Sequence, residues 1–219
     1  GGVLRADLNA ENVGAVEAGL ANLGRHLDNM TKFGVPAVVA INRFTLDTDA
    51  ELDAIKKYCL NRRQPVAICT HWASGGMGAE ALARLASDAA DSGKANFKPI
   101  YGTEMPLLKK IETVAKEIYR AEGVDVSSNA KARLSTLQEK GFGNLPVCIA
   151  KTQYSFSADP SMKGAPVGYD IPVRDIRLSA GAGFVVVICG DIMTMPGLSR
   201  TPAAEAISLG KDGETVGLF

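Results

Sequence analysis

Two aromatic residues, Phe44 and Trp72, stand where the sequence predicts that two buried strands end. Each follows a short apolar run, residues 37–41 in the first case and residues 65–70 in the second. Continuous apolar runs of this length are typical of parallel strands that are buried on both faces. In open α/β sheets, ligands bind just beyond the carboxyl ends of the strands. Two aromatic rings at that edge could therefore hold a flat heterocycle between their faces.

Both aromatic residues also have a purely structural interpretation. Phe44 could cap the edge of the sheet, and Trp72, the only tryptophan of the chain, could pack in the core. Arg43 lies directly before Phe44, so it too stands where a ligand is expected. The sequence pattern alone leaves the ligand-binding and the structural interpretations open.

The polar residues after Phe44 have the spacing of a helix start. Thr48 and Glu51 fit a capping box, in which each side chain bonds the main chain of the other residue. Asp47 and Asp49 add negative charge near the helix N-terminus, where it is favoured. Helix initiation accounts for all of them, and a catalytic carboxylate is the alternative.

A glycine-rich loop, Gly75-Gly76-Met77-Gly78, follows Trp72 and precedes a predicted helix. Phosphate-binding loops occupy the same place, but this one lacks the Lys-Ser/Thr pair of a P-loop and the spacing of GxGxxG. Glycines that allow a tight turn beside a ligand are the simpler interpretation.

These residues require an α/β scaffold. The alternation of helices and strands in the first part of the chain predicts parallel strands with right-handed crossovers, so that both aromatic loops leave from one edge of the sheet. The sequence divides into a main α/β domain over residues 1–92, a polar linker over 93–104 and a smaller α/β domain over 105–219. Helices are predicted over 11–33, 48–62, the stretch around 82–85, 105–120 and 128–140, and further strands over 146–150, 171–178 and 184–189.

The composition is that of an ordinary globular protein. The 219 residues are 46% apolar and 22% charged, and no apolar run approaches the length of a membrane span. Basic and acidic side chains balance at 24 each, so charge gives no argument for nucleic acid or an acidic membrane as partner. The cysteines show no CxxC spacing, which indicates reduced thiols in a cytosolic protein rather than a metal site. They are Cys59 and three residues in strands expected to be buried, Cys69, Cys148 and Cys189.

Several longer stretches resemble formate–tetrahydrofolate ligases, and together they cover essentially the whole chain. The stretches that carry the resemblance are residues 33–44 with Asp47 and Thr48, Trp72 with Gly75 and Gly76, and residues 143–148, 150–157, 177–184, 193–198 and 217–219.

The resemblance implies an enzyme of one-carbon metabolism that joins formate to tetrahydrofolate. The family uses ATP and Mg²⁺, forms a formyl phosphate intermediate and admits a monovalent cation as a further ligand. Its phosphate loop and its formyl phosphate residues lie in an N-terminal part, and no Gly-Lys-Thr motif occurs here. The resemblance therefore implies a C-terminal portion, in which a mostly parallel, Rossmann-like or P-loop-like sheet is completed by that N-terminal part. ATP and Mg²⁺ would be bound mainly there, and no catalytic residue or metal ligand is assigned to this chain.

The same resemblance names substrate-binding residues. In the family, the aromatic residue after Asn-Arg and the tryptophan before Gly-Gly form a wall against the folate, and these positions are Phe44 and Trp72. Asn42, Arg43 and Gln153 are the further substrate-binding residues that the resemblance implies. Thr45 follows Phe44 where many members carry proline, which affects only the shape of the loop.

The resemblance also sets expectations about partners. The chain opens at Gly1 without an initiator methionine and resembles the middle of the family sequence. We expect it to associate with an N-terminal portion, because the chain alone would expose a sheet edge. We also expect the complete subunits to form a cytoplasmic homo-oligomer, a tetramer. Two alternatives are a non-catalytic folate- or nucleotide-binding subunit and a redox-regulated structural subunit that uses its cysteines.

Overall fold

The structure, a computed structural model, describes residues 2–3, 7–151, 155–192 and 200–217. The helices are α1 (Val13–Lys32), α2 (Asp49–Asn61), α3 (His71–Ser74), α4 (Glu80–Asp91), α5 (Leu107–Glu117) and α6 (Ser128–Glu139). The strands are β1 (Val39–Asn42), β2 (Val66–Cys69), β3 (Gly123–Val126), β4 (Val147–Ala150), β5 (Asp170–Ser179), β6 (Phe184–Cys189), β7 (Ser208–Leu209) and β8 (Thr215–Val216). The predicted α/β class is confirmed. None of the described helices is long and apolar enough to cross a membrane.

Strands β1 and β2 pair in parallel, as the order of elements predicts. Their register runs from Val39 opposite Val66 to Asn42 opposite Cys69. The N–H of Arg43 donates to the carbonyl of Cys69 at 2.9 Å, so the chain stays paired one residue beyond β1. The loops that carry Phe44 and Trp72 therefore leave from the same edge of the sheet.

A second sheet has the strand order β3-β5-β6-β4. Its outer pairs are parallel and its central pair, β5 and β6, is antiparallel. Helices α5 and α6 share one apolar core with this sheet, because Ile111 and Leu134 lie with Val173 and Val187 in a single buried cluster. Strands β7 and β8 form a small separate antiparallel pair.

The helix boundaries follow capping chemistry. The capping box is confirmed, because the Thr48 hydroxyl accepts from the Glu51 N–H at 3.3 Å and a Glu51 carboxylate oxygen accepts from the Thr48 N–H at 3.2 Å. Helix α1 begins later than expected, since its cap is Asn12, whose side chain accepts from the Ala15 N–H at 2.9 Å. Gly34 follows the C-terminal cap of α1 and adopts a left-handed conformation, with φ at +67°.

Strand β3 is not predicted from the sequence. Its four residues alternate weakly, with a glycine at the start and Asp125 in the middle, so they show no strand signal. Parallel pairing with β5, from Gly123 opposite Asp170 to Val126 opposite Val173, fixes them as a strand. Tertiary pairing here overrides a poor local propensity.

Helix α1 buries a polar stripe as well as an apolar one. Arg25 is only 5% exposed, and its guanidinium donates to the carbonyls of Ala165 at 2.8 Å and Pro166 at 2.6 Å. One turn further on, the Asn29 amide donates to the Ile118 carbonyl at 3.0 Å. The helix thus packs its apolar stripe on β1 and α2 and bonds main-chain carbonyls of the segments around the second sheet.

Candidate functional site

Phe44 and Trp72 lie at the carboxyl ends of β1 and β2 and are open to solvent. Their exposed fractions are 63% and 66%. The interpretation that Trp72 packs in the core is therefore wrong, and the exposure of Phe44 argues against a cap packed over the sheet. Within the described part of the chain, neither ring contacts another aromatic ring.

The loop that carries Phe44 is held by two reciprocal hydrogen bonds. The Phe44 N–H donates to Oδ2 of Asp47 at 2.8 Å, and the Asp47 N–H donates to the Phe44 carbonyl at 3.2 Å. Asp47 in turn precedes Thr48, the cap of α2. The position of the aromatic residue is thus tied to the start of a helix.

A cavity of about 610 Å³ opens beside Phe44, which is a usual size for a small-molecule site. Ile41, Leu52 and Ile55 form part of its apolar lining, and Asn42 also lines it. Trp72 is not part of this lining. The structure therefore brings Phe44 and Asn42 into one cavity and places Trp72 at the same edge of the sheet, outside the lining of that cavity.

Two carboxylates line the cavity, and they differ in how fully they are bonded. Glu51 accepts from the N–H groups of Asn12 at 2.8 Å and Thr48 at 3.2 Å. These hydrogen bonds, the one from Asn12 first, lower the pKa of Glu51. Asp47 accepts from Phe44 through Oδ2, whereas its Oδ1 has no hydrogen-bond partner among the described residues.

Arg43, another residue implied by the resemblance, is not part of the cavity lining. The Arg43 guanidinium forms a surface ion pair with Asp49, with Nη2 and Oδ1 3.0 Å apart. Gln153 lies outside the described residues.

The glycine loop shapes the turn next to Trp72. Gly78 packs directly on the main chain of Thr70, where a Cβ would come within 2.5 Å of the carbonyl carbon, and the two residues share a 3.0 Å hydrogen bond. Gly75 adopts a left-handed conformation, with φ at +58°. Since Ala79 and Glu80 follow instead of Lys-Ser/Thr, the loop lacks the residues with which a P-loop binds the triphosphate of ATP.

The cysteines are free thiols, and one of them is not where the sequence analysis placed it. Cys59, Cys69 and Cys189 are buried, but Cys148 is exposed. Cys148 lies in the edge strand β4 between Val147 and Ile149, whose side chains pack on the helix-covered core, so its own side chain points to the opposite face. Burial raises the pKa of Cys189 to about 12 and also raises that of Cys59. Across the described residues, no group of three or more His, Cys, Asp or Glu side chains could hold a metal ion.

Comparison with known proteins gives one consistent result. A family model described as formate–tetrahydrofolate ligase matches residues 1–219. The chain is 57% identical over 219 residues to proteins named formate–tetrahydrofolate ligase from Ruegeria pomeroyi and Maricaulis maris, and 52% identical to one from Rhizobium meliloti. All of the chain is covered in each comparison, but it spans only 39% of the length of these relatives. The chain belongs to the formate–tetrahydrofolate ligase family.

Proposed function

We propose that this chain provides the tetrahydrofolate-binding wall of an ATP-dependent formate–tetrahydrofolate ligase. The observation that carries the proposal is the placement of Phe44 and Trp72, two exposed aromatic side chains, at the ends of two paired parallel strands. Single exposed apolar residues are common on protein surfaces, but two at one sheet edge, beside a cavity of ligand size, are typical of a binding site.

The physical properties of the pterin ring suit this edge. The ring is flat, with apolar faces and a polar rim, so aromatic side chains hold it by offset stacking, at about 0.5–1.5 kcal/mol per pair beyond area burial. Phe44 is restrained by its hydrogen bonds to Asp47, so it is ready to stack without a large loss of loop entropy. Asn42, which lines the cavity, can bond the polar edge of the substrate. Arg43 and Gln153 are proposed as substrate-binding residues from the family resemblance alone.

Because this chain is assigned the binding of tetrahydrofolate, the activation of formate is assigned to the rest of the enzyme. Loop 75–78 lacks the Lys-Ser/Thr pair of a P-loop, so we assign the binding of ATP and Mg²⁺ to the part of the protein that this chain does not include. The residues of this chain would position N10 of tetrahydrofolate against the formyl carbon of formyl phosphate. Holding two reactants in a productive geometry is itself a large catalytic contribution.

The activity is tested on the complete enzyme, with formate, ATP, Mg²⁺ and tetrahydrofolate present. We expect formation of 10-formyltetrahydrofolate that depends on ATP and on formate. Saturable tetrahydrofolate binding without any formylation would instead favour a non-catalytic folate-binding subunit.

We further propose a homotetramer of complete subunits, which native mass spectrometry of the same sample measures.

A further inference from the structure

We propose that Asp47 is a specificity-determining residue that accepts hydrogen bonds from the donor edge of the pterin ring. The proposal deepens the proposed function and rests on it, because it names how the tetrahydrofolate site reads its substrate. In the sequence, Asp47 is explained by helix initiation. Its contacts in the structure give it a second role.

Asp47 and Phe44 line the same cavity and are joined to each other. The Phe44 N–H donates to Oδ2 of Asp47 at 2.8 Å, which fixes the carboxylate against the main chain of Phe44 in the cavity that both residues line. The second oxygen, Oδ1, has no partner among the described residues, and the side chain is only half-buried. The cavity therefore offers an aromatic face and an available acceptor on one short, restrained loop.

The neighbouring carboxylates are less suited to this task. Glu51 also lines the cavity, but it is committed to the N–H groups of Asn12 and Thr48 and to the Thr48 hydroxyl. Asp49 lies at the surface, pairs with Arg43 and does not line the cavity. Of the carboxylates that the structure describes at this edge, Asp47 is thus the one that lines the cavity and has an oxygen without a partner among the described residues.

The chemistry of the ligand matches such an acceptor. A pterin carries two adjacent donors on its pyrimidine ring, the N3–H and the 2-amino group, which lie in the ring plane. An ionised carboxylate accepts through two oxygens with about four lone-pair sites, so Asp47 can receive both donors and keep its bond to Phe44. A pterin stacked on the Phe44 ring would place its N3–H and 2-amino groups at the side of the stack. A carboxylate located at that side can accept hydrogen bonds from both groups.

The experiment compares two substrates of the complete enzyme, tetrahydrofolate and its 2-desamino-2-methyl analogue, which lacks one donor. Wild-type enzyme is expected to prefer tetrahydrofolate in kcat/KM by about 10- to 100-fold, the range for a hydrogen bond to a charged group. Asp47→Asn keeps an oxygen for the Phe44 N–H but turns an amide donor toward the ligand, so the preference should fall to a few-fold. Asp47→Ala should give the same loss of preference.

Asp53→Asn is the matched control, because it removes a surface carboxylate of α2 that pairs with Lys56 and does not line the cavity. It should retain the wild-type preference. An equal loss of activity toward both substrates in Asp47→Asn would show that Asp47 only shapes the loop, and absence of a wild-type preference would likewise overturn the proposal. Failure of wild-type enzyme to formylate tetrahydrofolate at all would contradict the proposed function instead, so the two failures are distinguishable.

Discussion

Phe44→Ala and Trp72→Ala should each raise the KM of the complete enzyme for tetrahydrofolate by about 5- to 150-fold, while the KM for ATP changes less than about twofold. Each change removes an aromatic plane, and stacking of a heterocycle on such a plane contributes about 1–3 kcal/mol. Both side chains are more than 60% exposed, so their truncation should cost the fold little. Steady-state kinetics with one substrate varied at a time measures the two constants.

Phe97→Ala serves as the control for this pair of variants. Phe97 is 65% exposed, about as much as Phe44 and Trp72. Its ring stacks on the ring of Phe33, away from the carboxyl ends of β1 and β2. It should leave the KM for tetrahydrofolate close to the wild-type value. An equal rise of both Michaelis constants in Phe44→Ala and Trp72→Ala would mean that these residues maintain the fold rather than bind the folate.

Lys110→Ala is expected to lower the free energy of unfolding by about 3–5 kcal/mol. The Lys110 side chain is fully buried, with 0% exposure, and its ammonium donates to the carbonyls of Gly143 at 2.7 Å and Leu145 at 2.9 Å. Burial lowers the pKa of this lysine, but its two hydrogen bonds hold the turn that leads into β4. Alanine leaves both carbonyls without their donor and opens a cavity along the lysine stem.

Two companion variants separate the causes of that loss. Lys110→Met keeps the packing of the stem and removes only the charge and its hydrogen bonds, so it should cost about 1–3 kcal/mol. Lys109→Ala removes a neighbouring lysine whose pairing with Glu112 at 2.8 Å is at the surface, so it should cost less than about 1 kcal/mol. Urea unfolding of all three variants measures the differences, and a Lys110→Ala variant as stable as Lys109→Ala would refute the bonding role.

The sequence predicts the positions of Phe44 and Trp72 at one sheet edge because the signals for them are local. The apolar run before Asn42 and the one that ends at Cys69 each predict a strand, and the helix between them makes the pair parallel. The capping box of Thr48 and Glu51 needs only three residues of spacing, so it is visible before any fold is known. From these signals alone, Phe44 and Trp72 are placed at one edge.

Long-range pairing explains what the sequence does not predict. Strand β3 exists because β5, more than forty residues later, pairs with it. Arg25 and Lys110 look like solvated helix residues, yet both are buried because their partners are main-chain carbonyls, which have no sequence signature. The exposure of Cys148 depends on its pointing away from the helix-covered face and on β4 being an edge strand, which are properties of the sheet and not of the strand itself.

The emission of Trp72 tests the central claim, that tetrahydrofolate binds against the exposed aromatic residues at the ends of β1 and β2. Tetrahydrofolate is titrated into the complete enzyme and into a Trp72→Phe variant, and the difference between the two emission signals isolates Trp72. We expect a saturable change in this difference signal, with a midpoint near the dissociation constant for tetrahydrofolate. Identical emission changes in both proteins at saturating tetrahydrofolate would contradict it.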